Sequence, residues 1–384
     1  MRKNTNSAIL LFLLTISSYH SGFTQVKNDK IGVDKITITL TEKSLNLSSF
    51  IDIEKVIPLD ESPGQYLGKI KKCCIINDKI GVFDFYGQGQ IYNLDGGFVN
   101  TIDLPADYQS LKLASTTVNP FNETFNLFLL DNSDNLEYSS KGDFHTSKTL
   151  PYRGIHHAFV TEDIIAILSG WWKNMYRGKE ITDFLILVNK KGNVVSSSLT
   201  DYPLKRSGLV NSEAFYYFKD SVRLFLHGCN TIFSIDKDGV SPRYQLDFQE
   251  KNIPASFFSE NKPNQFHEAI TSSEYIGWFN RVYESDSALL ISFLYKNRTC
   301  LCLYNKLDKT SKTVYMDNLI NDIYNSKSVN MRGPYDDGIM IVVYPSDIDS
   351  GQRDSQNKNF ITKTGNVPVS LDKWSQPIIL LCKF

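Results

Sequence analysis

Apolar residues in this chain gather in short runs, and the runs come in pairs. Each pair follows one pattern: an apolar run, a short polar gap, a second apolar run, then a polar turn with glycine. The first instance is Ile80-Gly81-Val82-Phe83-Asp84-Phe85, then Gln90-Ile91-Tyr92-Asn93-Leu94, closed by Asp95-Gly96. The pattern returns at 125–130 with 136–138, closed by Lys141-Gly142, and at 164–168 with 184–188, closed by Lys191-Gly192. A fourth copy joins 222–226 to 232–235 and closes on Asp238-Gly239. The turn glycines stand at 96, 142, 192 and 239, intervals of 46, 50 and 47. A fifth pair, 289–295 with 299–304, ends in a polar turn near Asp308 without glycine; a sixth joins 339–344 to a terminal run at 377–384.

A repeat of about 40 to 50 residues with four short strands per unit marks the blades of a propeller. The pattern therefore predicts an all-β fold, a six-bladed β-propeller. The run Ile53-Glu54-Lys55-Val56-Ile57-Pro58-Leu59 belongs to no complete unit, and the sixth unit has few strands after Tyr344. The 53–59 strand is therefore expected to join the C-terminal blade, closing the ring and covering a sheet edge. The rival architecture, a pair of β-sandwiches, leaves a repeat that runs the whole chain without a cause. Two stretches interrupt the units. One, 254–278, carries a short helical pattern at 265–270. The other, 346–365, is rich in Asp, Ser, Asn, Gln and Lys and reads as a mobile surface loop.

The first residues are of another kind. Arg2 and Lys3 precede the apolar run Ala8-Ile9-Leu10-Leu11-Phe12-Leu13-Leu14-Thr15-Ile16, and 17–25 is small and polar. That order reads as a secretory signal peptide, too short to span a membrane as a helix. The organisation expected is a signal peptide at 1–25, a lead-in at 26–52 and one propeller at 53–384. No cysteine precedes Cys73, so the expected product is exported, periplasmic or secreted, and not a lipoprotein. Losing Arg2 and Lys3 moves the formal charge from −1 to −3. A near-neutral chain without Lys/Arg runs offers no footprint for nucleic acid and no basic membrane patch. The six cysteines do not form a disulfide framework by their spacing: Cys73 and Cys74 are adjacent and face opposite ways on a strand, and Cys229 and Cys382 stand in apolar runs. Mostly free, buried thiols are expected.

Four stretches carry a resemblance. They are Ile57-Pro58-Leu59 leading to Leu67-Gly68-Lys69-Ile70; Asn230-Thr231-Ile232-Phe233-Ser234-Ile235 with Asp238-Gly239 and the run from Ser241 to Pro254; Leu319-Ile320-Asn321-Asp322-Ile323; and Gln376-Pro377-Ile378-Ile379-Leu380. In these the chain resembles the exported six-bladed β-propeller proteins of unknown function from gut-type Gram-negative bacteria, of the TolB-like and NHL-like superfamily. The resemblance implies the propeller fold and export, and lends no activity. It departs at Leu104-Pro105-Ala106-Asp107-Tyr108, where family members often carry a Gly-Pro-Gly-Glu-Tyr-like element.

No catalytic signature is complete. Phe266-His267-Glu268-Ala269-Ile270-Thr271 starts like a zinc-protease helix but has Thr271 where the second histidine belongs. His156 and His157 are neighbours on a strand, so they point to opposite faces and make a poor metal pair. No catalytic residue, metal ligand or cofactor is therefore assigned. The candidate ligand-binding residues are aromatic and cationic: Trp171, Trp172, Tyr176 and Arg177, in a long connection between the paired runs of the third unit, and Trp278 with Arg281 before the fifth. Rigid rings beside a planar cation suit stacking on a sugar or anchoring a peptide. Both groups are expected at blade mouths, where they could converge. The reading is a non-enzymatic binding propeller of the bacterial cell envelope, its partner a glycan, a peptide or another envelope protein. The alternative is a glycan-cleaving hydrolase or lyase with its site in the central channel. Paired carboxylates there would favour the enzyme, and aromatics the binding protein. Export predicts that intact-mass analysis of envelope protein finds a mature chain starting near residue 26; a chain retaining Met1 overturns it.

Overall fold

The paired apolar runs are the two middle strands of four-stranded sheets. In a computed structural model the description covers residues 32–384 apart from 64–66, 86–87, 206–208, 210, 212, 325, 327, 349–356, 363–364 and 371–375. The signal-peptide segment lies outside the described residues. Middle strands are pressed between neighbouring blades on both faces, so they read as unbroken apolar runs; every residue of Thr124–Leu129 and of Gly338–Val343 is buried. Outermost strands need no such cover, and all of Phe144–Thr149 is exposed.

Six such sheets make the propeller. Blade 1 runs from its innermost strand Ile70–Ile76 through Lys79–Asp84 and Gly89–Asn93 to Phe98–Ile102. Blade 2 holds Leu113–Asn119, Thr124–Leu129, Asp134–Tyr138 and Phe144–Thr149. Blade 3 holds His156–Phe159, Ile164–Leu168, Leu185–Asn189 and Val194–Ser198. Blade 4 holds Phe215–Phe218, Ser221–Leu224, Thr231–Asp236 and Gly239–Asp247; blade 5 holds Trp278–Glu284, Ala288–Tyr295, Arg298–Asn305 and Ser311–Tyr315. Blade 6 is built from both chain ends: Asn330–Tyr335, Gly338–Val343 and Ile378–Lys383, with Asp52–Pro58 antiparallel to Ile378–Lys383 from Ile53 opposite Cys382 to Pro58 opposite Ile378.

The lead-in is a strap rather than a tail. Asp34–Thr37 pairs in parallel with the outer strand of blade 4, Asp34 opposite Tyr244. The chain then crosses blade 5, where the Ser311 hydroxyl donates to the Thr37 carbonyl (2.9 Å) and Arg298 pairs with Glu42 (3.2 Å). Leu45–Asn46 next pairs with Leu319–Ile320, and the Ser48 hydroxyl donates to Asp322 (2.6 Å), delivering the chain to blade 6. One other expectation changes. Part of the polar stretch 346–365 is strand: Asn357–Thr362 pairs with Gly365–Ser370 and lies beside Asp52–Pro58 at Thr362. Phe360 anchors it, buried and stacked on Tyr324 at 6.1 Å, and Val367 of the partner strand packs against the same core. The helical pattern at 265–270 is real, Phe266–Ser272, and a second helix, Ala255–Glu260, precedes it. All six cysteines are free, five of them buried. No helix among the described residues is long and apolar enough to cross a membrane.

Turn chemistry explains the repeat. The glycines at 96, 142, 192 and 239 all have positive φ, and a Cβ on Gly96 would stand 1.9 Å from the Pro58 carbonyl oxygen. In the fifth blade Lys309 takes up the positive φ (59°) without a glycine, its turn held by Asp308 accepting from the Thr310 backbone N–H (2.9 Å).

Buried polar groups tie blades together. Glu284 of blade 5, fully enclosed, accepts from Arg223 Nε (3.2 Å), Lys306 Nζ (2.8 Å), Tyr216 Oη (3.1 Å) and Tyr244 Oη (2.6 Å). Three of those four donors come from blade 4. Removing one partner of a buried charge group leaves the rest uncompensated, at a cost of about 3–5 kcal/mol. Glu284→Ala is therefore expected to lower the unfolding free energy by about that amount in urea titrations; a loss under about 1 kcal/mol, the size of an exposed pair, would show the cluster to be idle.

Two buried histidines set a pH limit. His157 stacks on Phe128 at 4.0 Å, and burial, helped by the charge of His156, brings its pKa down to about 3. His227 accepts the Phe279 backbone N–H at Nδ1 (3.1 Å), and burial, then His267 and His156, brings it down to about 3 as well. The unfolded chain protonates both near pH 6.5 while the folded chain does not. Stability is thus full above about pH 6.5 and is lost as pH falls toward the folded values, at about 1.4 kcal/mol per pH unit for each histidine. Unfolding free energies read from pH 7 to 4.5 should fall at least this steeply, His156 adding to the slope because burial lowers its pKa to about 4, and His227→Gln should remove about one proton's share. A flat profile down to pH 5 contradicts the assignment.

Candidate functional site

Successive strands of a blade alternate in direction, so the link between the second and third strands returns to the face where the innermost strand begins. We call this the near face. The connection 169–184 of blade 3 lies there, as do the starts of the inner strands. It is not an open loop. Asn174–Tyr176 pairs with Lys179–Ile181 across a turn in which Arg177 and Gly178 both have positive φ (50° and 79°). Asn174 clamps the base of this arm to the chain just ahead of blade 3: its Oδ1 accepts the Arg153 N–H (2.8 Å) and its Nδ2 donates to the Arg153 carbonyl (2.9 Å). The Arg153 guanidinium lies 4.8 Å over the half-buried Trp172 ring, and Trp171 stands 5.7 Å from Trp172 with 44% of its surface exposed. Arg177 covers Tyr176 at 5.0 Å, and Met175 is exposed beside them.

The other two candidates lie elsewhere. Trp278 is held between His227, parallel at 3.8 Å, and His267, edge-on at 4.3 Å. It is a half-buried packing residue at the start of the blade 5 inner strand. Arg281, three residues on and buried, enters the central channel. No ring or cation–ring contact joins the arm to Trp278 or Arg281 among the described residues.

The channel is cationic. Arg281 Nη1 bonds Glu213 Oε2 at 2.5 Å, and its Nη2 donates to the Lys71 carbonyl at 3.3 Å. Lys72 Nζ stands 3.8 Å from Glu213 Oε1 and donates to the Thr116 carbonyl at 2.9 Å. His156 borders the same space, and burial brings its pKa down to about 4, Lys71 and Lys72 adding to the effect. Burial also works against the charge on Arg281, but Glu213 and Tyr283 together offset it and hold the pKa above its ordinary value. Lys71 is lowered, by burial first and by Lys72 and Arg281 in addition, against the pull of Glu213. Arg332, on the inner strand of blade 6, is lowered by burial and by Arg281. Tyr217 borders the channel as well: its hydroxyl accepts the Phe159 N–H (2.8 Å) and donates to the Val118 carbonyl (3.3 Å). Asp84 borders the channel too, but its carboxylate accepts the backbone N–H groups of Gln88 (3.0 Å) and Gly68 (3.4 Å) and serves its own loop.

The channel thus follows neither expected arrangement alone: a basic group surrounds Glu213, and Asp84 and several aromatic rings border the same space. Lys71, Lys72, Glu213, Arg332 and Arg153 were not picked out by sequence reasoning. A signal exists for the channel set. Each unit has a polar residue seven to ten positions before its middle strands: Lys72 before Ile80, Ser115 before Phe125, His156 before Ile164, Glu213 before Val222, Arg281 before Leu289 and Arg332 before Ile339. Arg153 has no such signature.

Comparison with known proteins agrees with the architecture. A Bacteroides fragilis protein described as exported superposes with a TM-score of 0.74 at 13% identity, covering 92% of this chain and 99% of its own. A member of the DUF4221 family from Bacteroides vulgatus gives a TM-score of 0.49 at 10% identity, over 87% of this chain and 97% of its own. At such identity the first likeness speaks for the fold. No curated protein matches the sequence. Residues 33–383 match the family described as a domain of unknown function, DUF4934, and since that is nearly the whole chain, this protein belongs to the DUF4934 family.

Proposed function

We propose that the protein is a non-enzymatic binding propeller of the bacterial cell envelope, exported without a lipid anchor, that takes a glycan, a peptide or a partner protein on its near face. One observation carries the reading: the aromatic arm is pre-built. Trp171 is nearly half exposed, yet the residues beneath it are fixed by the Asn174–Arg153 clamp and by the Arg153–Trp172 stack. A large ring presented on a rigid base loses little freedom on binding, which is the economy that anchor residues of interfaces exploit. A mere packing role would have turned Trp171 inward, as it has Trp278.

Exposure makes Trp171 a clean probe. Trp171→Ala should weaken an identified ligand by about 2 kcal/mol or more, the range of an anchor residue. Its effect on the melting temperature should be small, because little of that ring is buried. A glycan array and a peptide array, read with wild type and Trp171→Ala alongside thermal melts, test this. Loss of stability without any arrayed ligand bound, or a ligand bound equally by both proteins, removes the arm from the site.

A further inference from the structure

The unexplained feature is the imbalance of charge in the channel. Lys71, Lys72 and Arg281 border a cavity of about 80 Å³ together with Glu213, His156, Ser115 and Tyr217. At about 10–15 Å³ per water, such a space holds roughly five to eight waters, the size of one small polar solute and much less than an oligosaccharide. Three cations face two carboxylates there, Glu213 and Asp84, and Asp84 accepts backbone N–H groups of its own loop. Glu213 is the one acid within 4.0 Å of any of them among the described residues, and it is committed to Arg281 at 2.5 Å with Lys72 farther off at 3.8 Å. Among the described residues Lys71 has no carboxylate within 4.0 Å, although Glu213 acts on it from farther off. Neither has Arg332 close by, whose Nη2 donates to Asn330 (3.2 Å) while its buried Nε meets no acceptor.

Such an arrangement costs stability as it stands. Like charges drawn out of water repel one another, and a buried donor without an acceptor forfeits its hydration. Natural sequences retain an imbalance of this kind where a ligand completes it. The geometry supplies donors from three consecutive blades on one side of the channel: Arg281 from blade 5, Arg332 from blade 6 and the two lysines from blade 1. Tyr217 borders the same space, its hydroxyl held between the Phe159 N–H and the Val118 carbonyl.

We propose that the central channel binds a small oxyanion, a carboxylate or a phosphate, against Lys71, Lys72 and Arg281, with Arg332 adding to the field. The ligand supplies the negative charge and the acceptor atoms that Glu213 and Asp84 leave short. The site is separate from the aromatic arm and does not depend on it.

The test is isothermal titration of the mature protein in a neutral, low-chloride buffer, with inorganic phosphate in one arm and succinate in the other. Succinamide, of similar shape without charge, is the control. Binding of one anion and not of succinamide is expected, and which anion binds identifies the group. Lys71→Gln and Arg332→Gln should each weaken it at least tenfold. Neither variant breaks an ion pair, so their melting temperatures without ligand should equal or exceed that of wild type. Trp171→Ala should leave the anion affinity unchanged, so failure of the channel site and failure of the arm are told apart. No heat from either anion at about 10 mM, where even a millimolar site is mostly filled, overturns the proposal. So does an affinity that survives both substitutions.

Discussion

The guanidinium of Arg281 meets three blades at once. It springs from the inner strand of blade 5, pairs with Glu213 at the approach to blade 4, and donates to a carbonyl of blade 1. Six inner strands must crowd around one axis, and the side chains they turn inward cannot all be apolar without filling the channel or all be charged without repelling. The Arg281–Glu213 pair is the compromise. It neutralises the deepest cation, fixes the spacing of the near-face ends of three strands, and leaves the lysines of blade 1 facing a space with too little negative charge. A buried pair of this kind contributes little as a bond, since desolvation offsets most of the attraction. Its weight lies in what happens to the rest if one partner goes.

The same constraint decides what could be read from the chain. Middle strands are squeezed on both faces, so their apolar runs are continuous and their turns need positive φ; both signals are local, and six units stood out. Inner strands such as Ile70–Ile76 and Trp278–Glu284 mix charges with apolar residues because one flank faces the channel, and their pattern fits neither a buried nor an alternating strand. Outer strands such as Phe144–Thr149 are wholly exposed and carry almost no apolar signal. Polar composition also concealed the strand at Asn357–Thr362, where Phe360 is a deeply buried anchor.

The candidate site was legible in part for the same reason. Unusual residues in unusual places, the Trp171–Trp172 pair above all, are visible without a structure. The partner that orients them is not: Arg153 is an ordinary residue in a short link, and only folding sets it over Trp172. Trp278 and Arg281 looked alike in sequence and parted in space, since the bulge at 279–281 and the alternation of the strand send one ring between two histidines and the guanidinium into the channel. The channel cations lie one to a blade apart from the Lys71–Lys72 pair, so no stretch of sequence brings them together.

The strap has a bearing on how the molecule comes to be made. Asp34 pairs with a residue 210 positions later, Tyr244, and Ile53 with one 329 positions later, Cys382. Contacts of such sequence separation form slowly, because the loop between them must close before either strand gains anything. The segment that leaves the ribosome first therefore waits for the segment that leaves last, and until then blade 6 presents a free edge on Ile378–Lys383 or on its neighbour Gly338–Val343. That edge accepts the equivalent strand of any copy as readily as its own. At high concentration the same register that joins the two ends of one chain would join two chains into an exchanged dimer, with each Asp52–Pro58 completing the other's last blade.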